Sequence, residues 1–418
     1  MSQAKPFSIS RHLVAEAWDR VRANHGAAGV DEESIRDFER NLKDNRYKLW
    51  NRMSSGCYFP PPVLTVMIPK SGGGERRLGI PTVADRVAQM VAKLVLEPLV
   101  EPCFHPDSYG YRPGRSAHQA VEQARQRCWR RDWVLDLDIR GFFDNIDHEL
   151  MLKAVDCHTD CTWVRLYIER WLKAPAQGAD GKLEAREKGT PQGGVISPLL
   201  ANLFLHYALD EWLRLRYPAA LFERYADDMI VHCGTREEAE AMLQAIKERL
   251  GQCKLELHPQ KTKIVYCKDS NRGGGGGSDG KFEFDFLGFT FRPRKARNRR
   301  GEYFTSFAPA ISDKAQSEVR QEIKKWGVYR RSDQSLEELS RSYNPTLRGW
   351  VAYYGRFYRS ALYGVFAPLQ GALVRWAMRK YGKLKGRAGR TWAWLKGIAQ
   401  RQPKLFAHWQ LSPATNRG

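Results

Sequence analysis

The 418-residue chain lacks several things, and each lack narrows its class. No run of about 20 apolar residues occurs, so no membrane-spanning helix and no membrane partner are expected. The chain does not open on a charged stretch followed by an apolar one, so no secretory leader is expected. Its eight cysteines form no CxxC pair, which fits free thiols in a reducing compartment better than a disulfide scaffold. The closest spacing, Cys157 and Cys161, has no second ligand pair, and buried small hydrophobes are the preferred reading over zinc. A soluble, intracellular protein is the expectation. Most informative, no Asp or Glu follows Glu338.

What is present points to a polyanionic partner. The formal net charge is +21, while 42% of residues are hydrophobic, enough for a globular core. This length makes two or three domains the prior. The acid-free end interleaves Arg and Lys with Trp, Tyr and Phe, as in "LRGWVAYYGRFYRS". Such a segment can neutralise phosphates and offer stacking faces to bases, though part of its aromatic content must form a core. No sustained amphipathic helix suited to lipid stands out, so nucleic acid is the better partner.

The pattern of the first 290 residues or so is α+β. A polar helical extension over about 1–50 is interrupted by a loop at 26–31. Residues 62–70 alternate as a strand and return through "SGGGERR" to "LGIP", a hairpin carrying Lys70, Arg76 and Arg77. A helix is predicted from Val83 to about Val100, a strand over 133–139, helices within 147–173 and 197–216, a hairpin around 221–233 and a helix over 235–251. A glycine-rich loop at 270–280 precedes a strand pair at 281–291. From 292 onward the chain is basic and predominantly helical in expectation.

Two segments carry the chemistry. In "VLDLDI" Asp136 and Asp138 share one face of a strand, and Asp227 and Asp228 adjoin where two apolar runs meet in "LFERYADDMIVHC". Phosphoryl transfer to a nucleotide uses two divalent cations about 3.5–4 Å apart. Mg²⁺ is held by a few carboxylates plus substrate phosphate, which Asp138 and the Asp227–Asp228 pair supply if their strands are neighbours. Each signal alone is weak, since Asp pairs in turns merely suit turn geometry.

The order of surrounding blocks is specific. "AAGVD" (27–31), the Lys70/Arg76 hairpin, "SYGYRPGRS" (108–116), "DIRGFFDNIDH" (138–148), "TPQGG" (190–194), "YADD" (225–228), "LELHPQKTKI" (255–264) and "FDFLGFTF" (284–291) follow one another, then "NPTLRGWVAYYGRF" (344–357). In this order they resemble a bacterial reverse transcriptase of the group II intron type across nearly the whole chain. The resemblance implies a right-hand polymerase fold, with fingers and palm over 1–291 and a basic helical thumb, or maturase X domain, over 292–418. It implies a cytoplasmic enzyme that extends a DNA primer with dNTPs on an RNA template, using two Mg²⁺ ions with Mn²⁺ as a substitute.

Carried over position by position, Asp138, Asp227 and Asp228 match the metal-binding triad, with the Ile139 carbonyl completing one shell. Lys70 and Arg76 match the residues that grip the incoming triphosphate, although an exposed basic hairpin reads the same way; Arg77 is the bystander by register. Phe143 matches the steric gate against ribonucleotides, and core packing explains it equally well. Gln192 matches the contact to the nascent base pair, with Gly193 allowing close backbone approach. Lys261 matches the lysine that protonates pyrophosphate, with Lys263 a near alternative. Gly288 lies in the primer grip, and Arg112 and Arg115 contact template, support the fingers, or are plain surface arginines.

The family closes its first block with Asp-Gly where this chain has Asp31-Glu32, which sets the loop over the template apart, and the run of five glycines at 273–277 is unusual. DNA-cutting members carry a C-terminal HNH nuclease, which this chain is expected to lack. Two biological roles follow from the resemblance. One is an intron-encoded protein that also binds its own intron RNA and assists splicing. The other is a free-standing relative used by the host in DNA repair or defence. A maturase acting only by binding RNA is disfavoured, because all three aspartates remain.

Overall fold

The computed structural model describes residues 5–69, 74–270, 272, 281–298 and 300–411; Lys70 and the glycine run 273–277 lie outside them. The chain divides into two compact units, one of Met1–Ala124 with Trp133–Ile264, the other of Arg125–Asp132 with Val265–Gly418.

In the first unit, helices Arg11–Ala23, Ile35–Arg40 and Leu42–Ser54 form the N-terminal extension. Side-chain caps set where its helices start: Ser10 accepts from the His12 amide, and Ser34 with Asp37 closes a reciprocal capping box. The strands Val63–Pro69 and Glu75–Ile80 pair antiparallel with Ile68 opposite Arg76 and Met67 opposite Arg77. The helix Val83–Val100 follows, begun by the Thr82 side chain on the Asp85 amide, and buries Val87, Val91 and Leu96. Its Arg86 donates to the Ala27 carbonyl and so ties down the loop of the first block.

The sheet that carries the aspartates runs in the order Leu221–Tyr225, Asp228–Cys233, Trp133–Asp138, Lys263–Tyr266. The first three strands are antiparallel neighbours, and the division between the units falls within the fourth. Leu135, Leu137, Ile230 and Val231 are buried in this sheet. The predicted helix over 197–216 is one run interrupted by a π turn: α over Ser197–Leu205, π over His206–Asp210, α over Glu211–Arg216.

The second unit begins with a sheet that outlasts the sequence expectation. The strand Phe289–Arg297 continues through the basic stretch and pairs along its whole length with Tyr303–Ile311, so helices begin only at Asp313. The partner strand is rich in aromatic and small apolar residues, and Phe289, Phe291 and Phe307 are buried between strands and helices; that packing outweighs the loop-like look of "RPRKARNRR". Helices Asp313–Lys325, Leu336–Tyr354, Leu362–Lys380 and Ala388–Arg401 then surround a core containing Val319, Leu339, Leu347, Leu369 and Trp376. Trp326 stacks on Tyr343 at 4.4 Å and on Trp350 at 5.5 Å, so part of the aromatic content is structural. The short segment Arg125–Asp132 belongs to this unit: the Trp129 indole donates to the Phe307 carbonyl at 3.0 Å.

All eight cysteines are free. Cys157 is exposed and Cys161 half-buried, so neither is the buried hydrophobe expected; both flank a short loop between two helices. Among the described residues no helix is long and apolar enough to cross a membrane.

Candidate active site

Register brings the aspartates together. Asp138 ends its strand directly opposite Asp228, the first residue of the strand after the turn, and Asp228 also faces Tyr225 across the hairpin. Asp227 occupies the turn itself. Burial holds its carboxyl above the usual carboxylate range, the charge of Asp138 adds to this, and Arg76 and Arg224 pull it back. Four groups from three separate segments therefore share one electrostatic neighbourhood.

The turn is strained in a way that aims it. Ala226 has φ 58°, a left-handed conformation costly for a residue with a Cβ. Gly110 packs against it so closely that a Cβ there would come within 2.4 Å of the Ala226 nitrogen. The Tyr109 amide donates to the Arg224 carbonyl at 2.8 Å, so "SYGY" lies alongside the aspartate hairpin. Tyr111 follows, its ring 6.4 Å from Tyr225, and its phenol is pushed up by burial first and then by Asp227 and Tyr225.

Lys261 reaches the same place from the other side. The His258 amide donates to the Asp138 carbonyl at 2.7 Å and Ile139 bridges to Leu257, so "LELHPQK" runs along the end of the strand. Lys261 Nζ then lies 3.1 Å from Asp138 Oδ2. Ile139 is itself buried.

Phe143 is also buried, edge-on to Phe142, and its carbonyl accepts from the Thr190 amide at 2.8 Å. The "TPQGG" loop is thus built onto the helix that follows Asp138. His148 reinforces the seam: burial lowers its pKa, and the neutral ring donates from Nε2 to the Gly189 carbonyl at 2.8 Å. On the far side Gln89 Oε1 accepts from the Val195 amide at 2.8 Å while its own amide donates to buried Asp85. The Gln192 backbone carbonyl accepts from the Gly79 amide at 2.7 Å, and the residue lines a cleft of about 600 Å³ with Thr65, Arg77, Asp144 and Arg186. Gly193 has φ 120°, and a Cβ there would stand 2.4 Å from the Gly79 carbonyl.

The remaining predicted residues divide. Arg76 is exposed on its strand and acts on Asp227, whereas Arg77 pairs with Glu184. Arg112 is turned inward: its guanidinium holds Glu101 at 2.8 Å and the carbonyls of His105 and Ser108 at 2.7 and 2.6 Å, the geometry of a brace. Arg115 is exposed, its guanidinium 5.7 Å from the Tyr109 ring. Gly288 belongs to the second unit, in the turn between Phe284–Phe286 and Phe289–Arg297, against Tyr354. Lys70 lies outside the described residues.

Sequence reasoning passed over Tyr111, Asn202, Asp210 and Arg224. The signal was available for the last three, polar residues set in otherwise apolar or helical runs whose burial demands partners.

An antiparallel sheet with aspartates gathered at one end, beside a basic hairpin and a glycine-bearing loop, is the arrangement of a right-hand polymerase fold, which the match to the reverse transcriptase family implies for this chain. The chain belongs to the reverse transcriptase family, of the group II intron type: residues 68–291 match the family described as reverse transcriptase (RNA-dependent DNA polymerase), and residues 316–394 match the group II intron maturase-specific domain. It is an RNA-directed DNA polymerase. Protein YkfC of Escherichia coli (strain K12) is 33% identical over 298 residues, covering 61% of this chain and 77% of YkfC. Group II intron-encoded protein LtrA of Lactococcus lactis subsp. cremoris is 36% identical over 206 residues, 46% of this chain but 32% of LtrA, so the match spans about a third of that relative. An uncharacterized 91 kDa protein in the cob intron of Schizosaccharomyces pombe is 29% identical over 212 residues, 50% of this chain and 26% of that protein.

Proposed function

We propose that Asp138, Asp227 and Asp228 are the carboxylates at which this chain joins a primer 3′-OH to the α-phosphate of a dNTP on an RNA template. The observation that carries the reading is the register of Asp138 against Asp228, with Asp227 coupled by charge to Asp138.

Among the described residues no three carboxylate, imidazole or thiol groups form a ready cation cage. Mg²⁺ does not need one: it keeps several waters and binds through one or two carboxylates plus substrate phosphate. Asp227, whose carboxyl is held up by burial and by the charge of Asp138, together with Asp138 and the lysine standing on it, fits that donor set. Asp138 and Asp227 would be the main ligands, with Asp228 and the Ile139 carbonyl beside them. When bound, two such ions activate the attacking hydroxyl and neutralise the charge on the leaving group, and Mn²⁺ would serve in their place.

The chain's own groups do the rest. Arg76, with Lys70, grips the triphosphate, as a forked guanidinium and a point-charge ammonium suit phosphate oxygens. Lys261, which stands on Asp138, would donate a proton to the departing pyrophosphate. Phe143 faces the sugar, held by its backbone bond to Thr190, and Gln192 with Gly193 meets the nascent pair. Arg112 braces the segment that carries Tyr111 and Arg115. The basic helical region acts as a thumb that holds the RNA–DNA hybrid by backbone and shape, with the turn at Gly288 as primer grip. Its match to the maturase-specific domain supports a second task, binding a group II intron RNA and assisting its splicing.

The test is dNTP incorporation on poly(rA)/oligo(dT) with Mg²⁺ or Mn²⁺. Wild type incorporates and Asp227→Ala does not; retained incorporation by the variant sinks the site assignment.

A further inference from the structure

Arg224 is fully buried one residue before the Tyr225–Asp228 motif, and its partner Asp210 is fully buried too. The pair is bidentate: Nε to Oδ1 at 2.8 Å and Nη2 to Oδ2 at 2.5 Å. The third arm, Nη1, donates to Asn202 Oδ1 at 2.9 Å and to the Ala226 carbonyl at 3.0 Å. Asn202 passes its own amide on to the Gly110 carbonyl at 2.6 Å, in the loop that packs against Ala226.

A π turn in the helix makes this possible. Asn202 and Asp210 are eight residues apart, which in an ideal α-helix sets them about 80° round from each other. The π turn His206–Asp210 takes up one extra residue, reducing the offset to about 20°, so both face the same guanidinium. A buried ion pair is weak ground for stability, because desolvation offsets the attraction and apolar side chains of similar volume serve as well or better. Stability therefore does not explain an irregular helix, a buried charge pair and an amide that converge on one carbonyl. That carbonyl belongs to the left-handed residue on which the placement of Asp227 depends.

We propose that Arg224, Asp210 and Asn202 are positioning residues that hold the Ala226 backbone in its left-handed conformation and so set the geometry of Asp227 and Asp228 for their cations. This rests on the reading of those aspartates as cation ligands. The network also ties the loop Tyr109–Arg112 to the aspartate turn, since Asn202 donates to the Gly110 carbonyl and accepts from Arg224, which donates to the Ala226 carbonyl. None of the three touches substrate; each acts through the backbone of the turn.

The test removes the pair without leaving a buried charge. Arg224→Met combined with Asp210→Leu keeps the volume and is expected to melt within a few degrees of wild type. Its kcat for dNTP incorporation falls about 10²-fold, a displacement of the order of 1 Å being enough, while KM for dNTP stays within threefold. Equilibrium Mn²⁺ binding to the free enzyme, read by electron paramagnetic resonance, weakens at least tenfold. Arg224→Lys, which keeps a cation on Asp210 but cannot bridge three partners, shows the same kcat loss. A folded double variant, or a folded Arg224→Lys, with kcat and Mn²⁺ binding within threefold of wild type overturns the proposal. Asp227→Ala in parallel separates the two readings: if it leaves Mn²⁺ binding and incorporation intact, the assignment of the aspartates fails instead.

Discussion

Lys261 Nζ lies 3.1 Å from Asp138 Oδ2, two residues separated by 123 positions in the chain. The ammonium neutralises a carboxylate that the proposed function gives to a cation. Both side chains are substantially exposed, so the pair contributes at most about 1 kcal/mol to stability. Lys261→Ala is expected to leave the melting temperature within a few degrees while lowering kcat about 10²-fold, the usual worth of a positioned general acid. Steady-state incorporation beside Lys263→Ala decides between the two lysines: a larger loss in the second variant moves the role to Lys263.

Phe143 is 6% exposed, and a truncation there leaves a cavity as well as an opening. Phe143→Ala is expected to destabilise the chain by about 3–4 kcal/mol and to raise ribonucleotide incorporation relative to dNTP. Melting curves and paired rNTP/dNTP kinetics measure both. A stability loss with unchanged sugar discrimination leaves the ring as core packing alone.

The two arginines of "YRPGR" should part company. The Arg112 side chain is 5% exposed and satisfied on Glu101 and two carbonyls, so Arg112→Ala should cost about 3 kcal/mol by stranding Glu101. Arg115→Ala should leave the melt unchanged, weaken template–primer binding and reduce the salt slope by about one. Binding titrations at several salt concentrations distinguish them.

Glu32 has φ 58° in the loop of the first block, at the position where the family places glycine. The loop keeps the glycine-like backbone and bears the strain of a side chain. Glu32→Gly should stabilise the chain by up to about 1 kcal/mol, seen as a rise in melting temperature; a fall would mean the side chain has a partner worth more than the strain.

His408 is buried, and burial lowers its pKa from 6.5 to about 3. Its folded form is neutral, so the unfolded chain takes up the proton first. The related stability is whole above pH 6.5 and is lost as pH falls toward 3; between pH 7 and 5 the loss is about 2 kcal/mol. Thermal melts of wild type and His408→Gln across this range should converge toward low pH, the variant lacking the extra slope.

The strand over "VLDLDI" and the hairpin around "YADD" were legible because alternation and turn position are local properties of sequence, while the link between their aspartates came only from the order of the surrounding blocks. The helix Val83–Val100 was legible for the same reason, a capped start and a sustained apolar stripe. What escaped depended on distant partners. Nothing near Arg224 reveals that Asp210 will face it, since that requires a π turn no periodicity predicts. The strand Phe289–Arg297 was misread because its stability comes from Tyr303–Ile311 and from phenylalanines packed beneath, against the polar look of its own residues. Arg112 differs from Arg115 only in what surrounds it.

Trp129 and its neighbours Arg125–Asp132 sit in the second unit while the residues on either side belong to the first. The chain therefore crosses between units more than once, and the second unit is not a continuous cassette. A fragment that begins after the glycine run would leave the Phe307 carbonyl without its indole partner. Exchanging this region by a single cut near residue 265 would separate Arg125–Asp132 from the unit it belongs to, so an intact exchange needs two junctions.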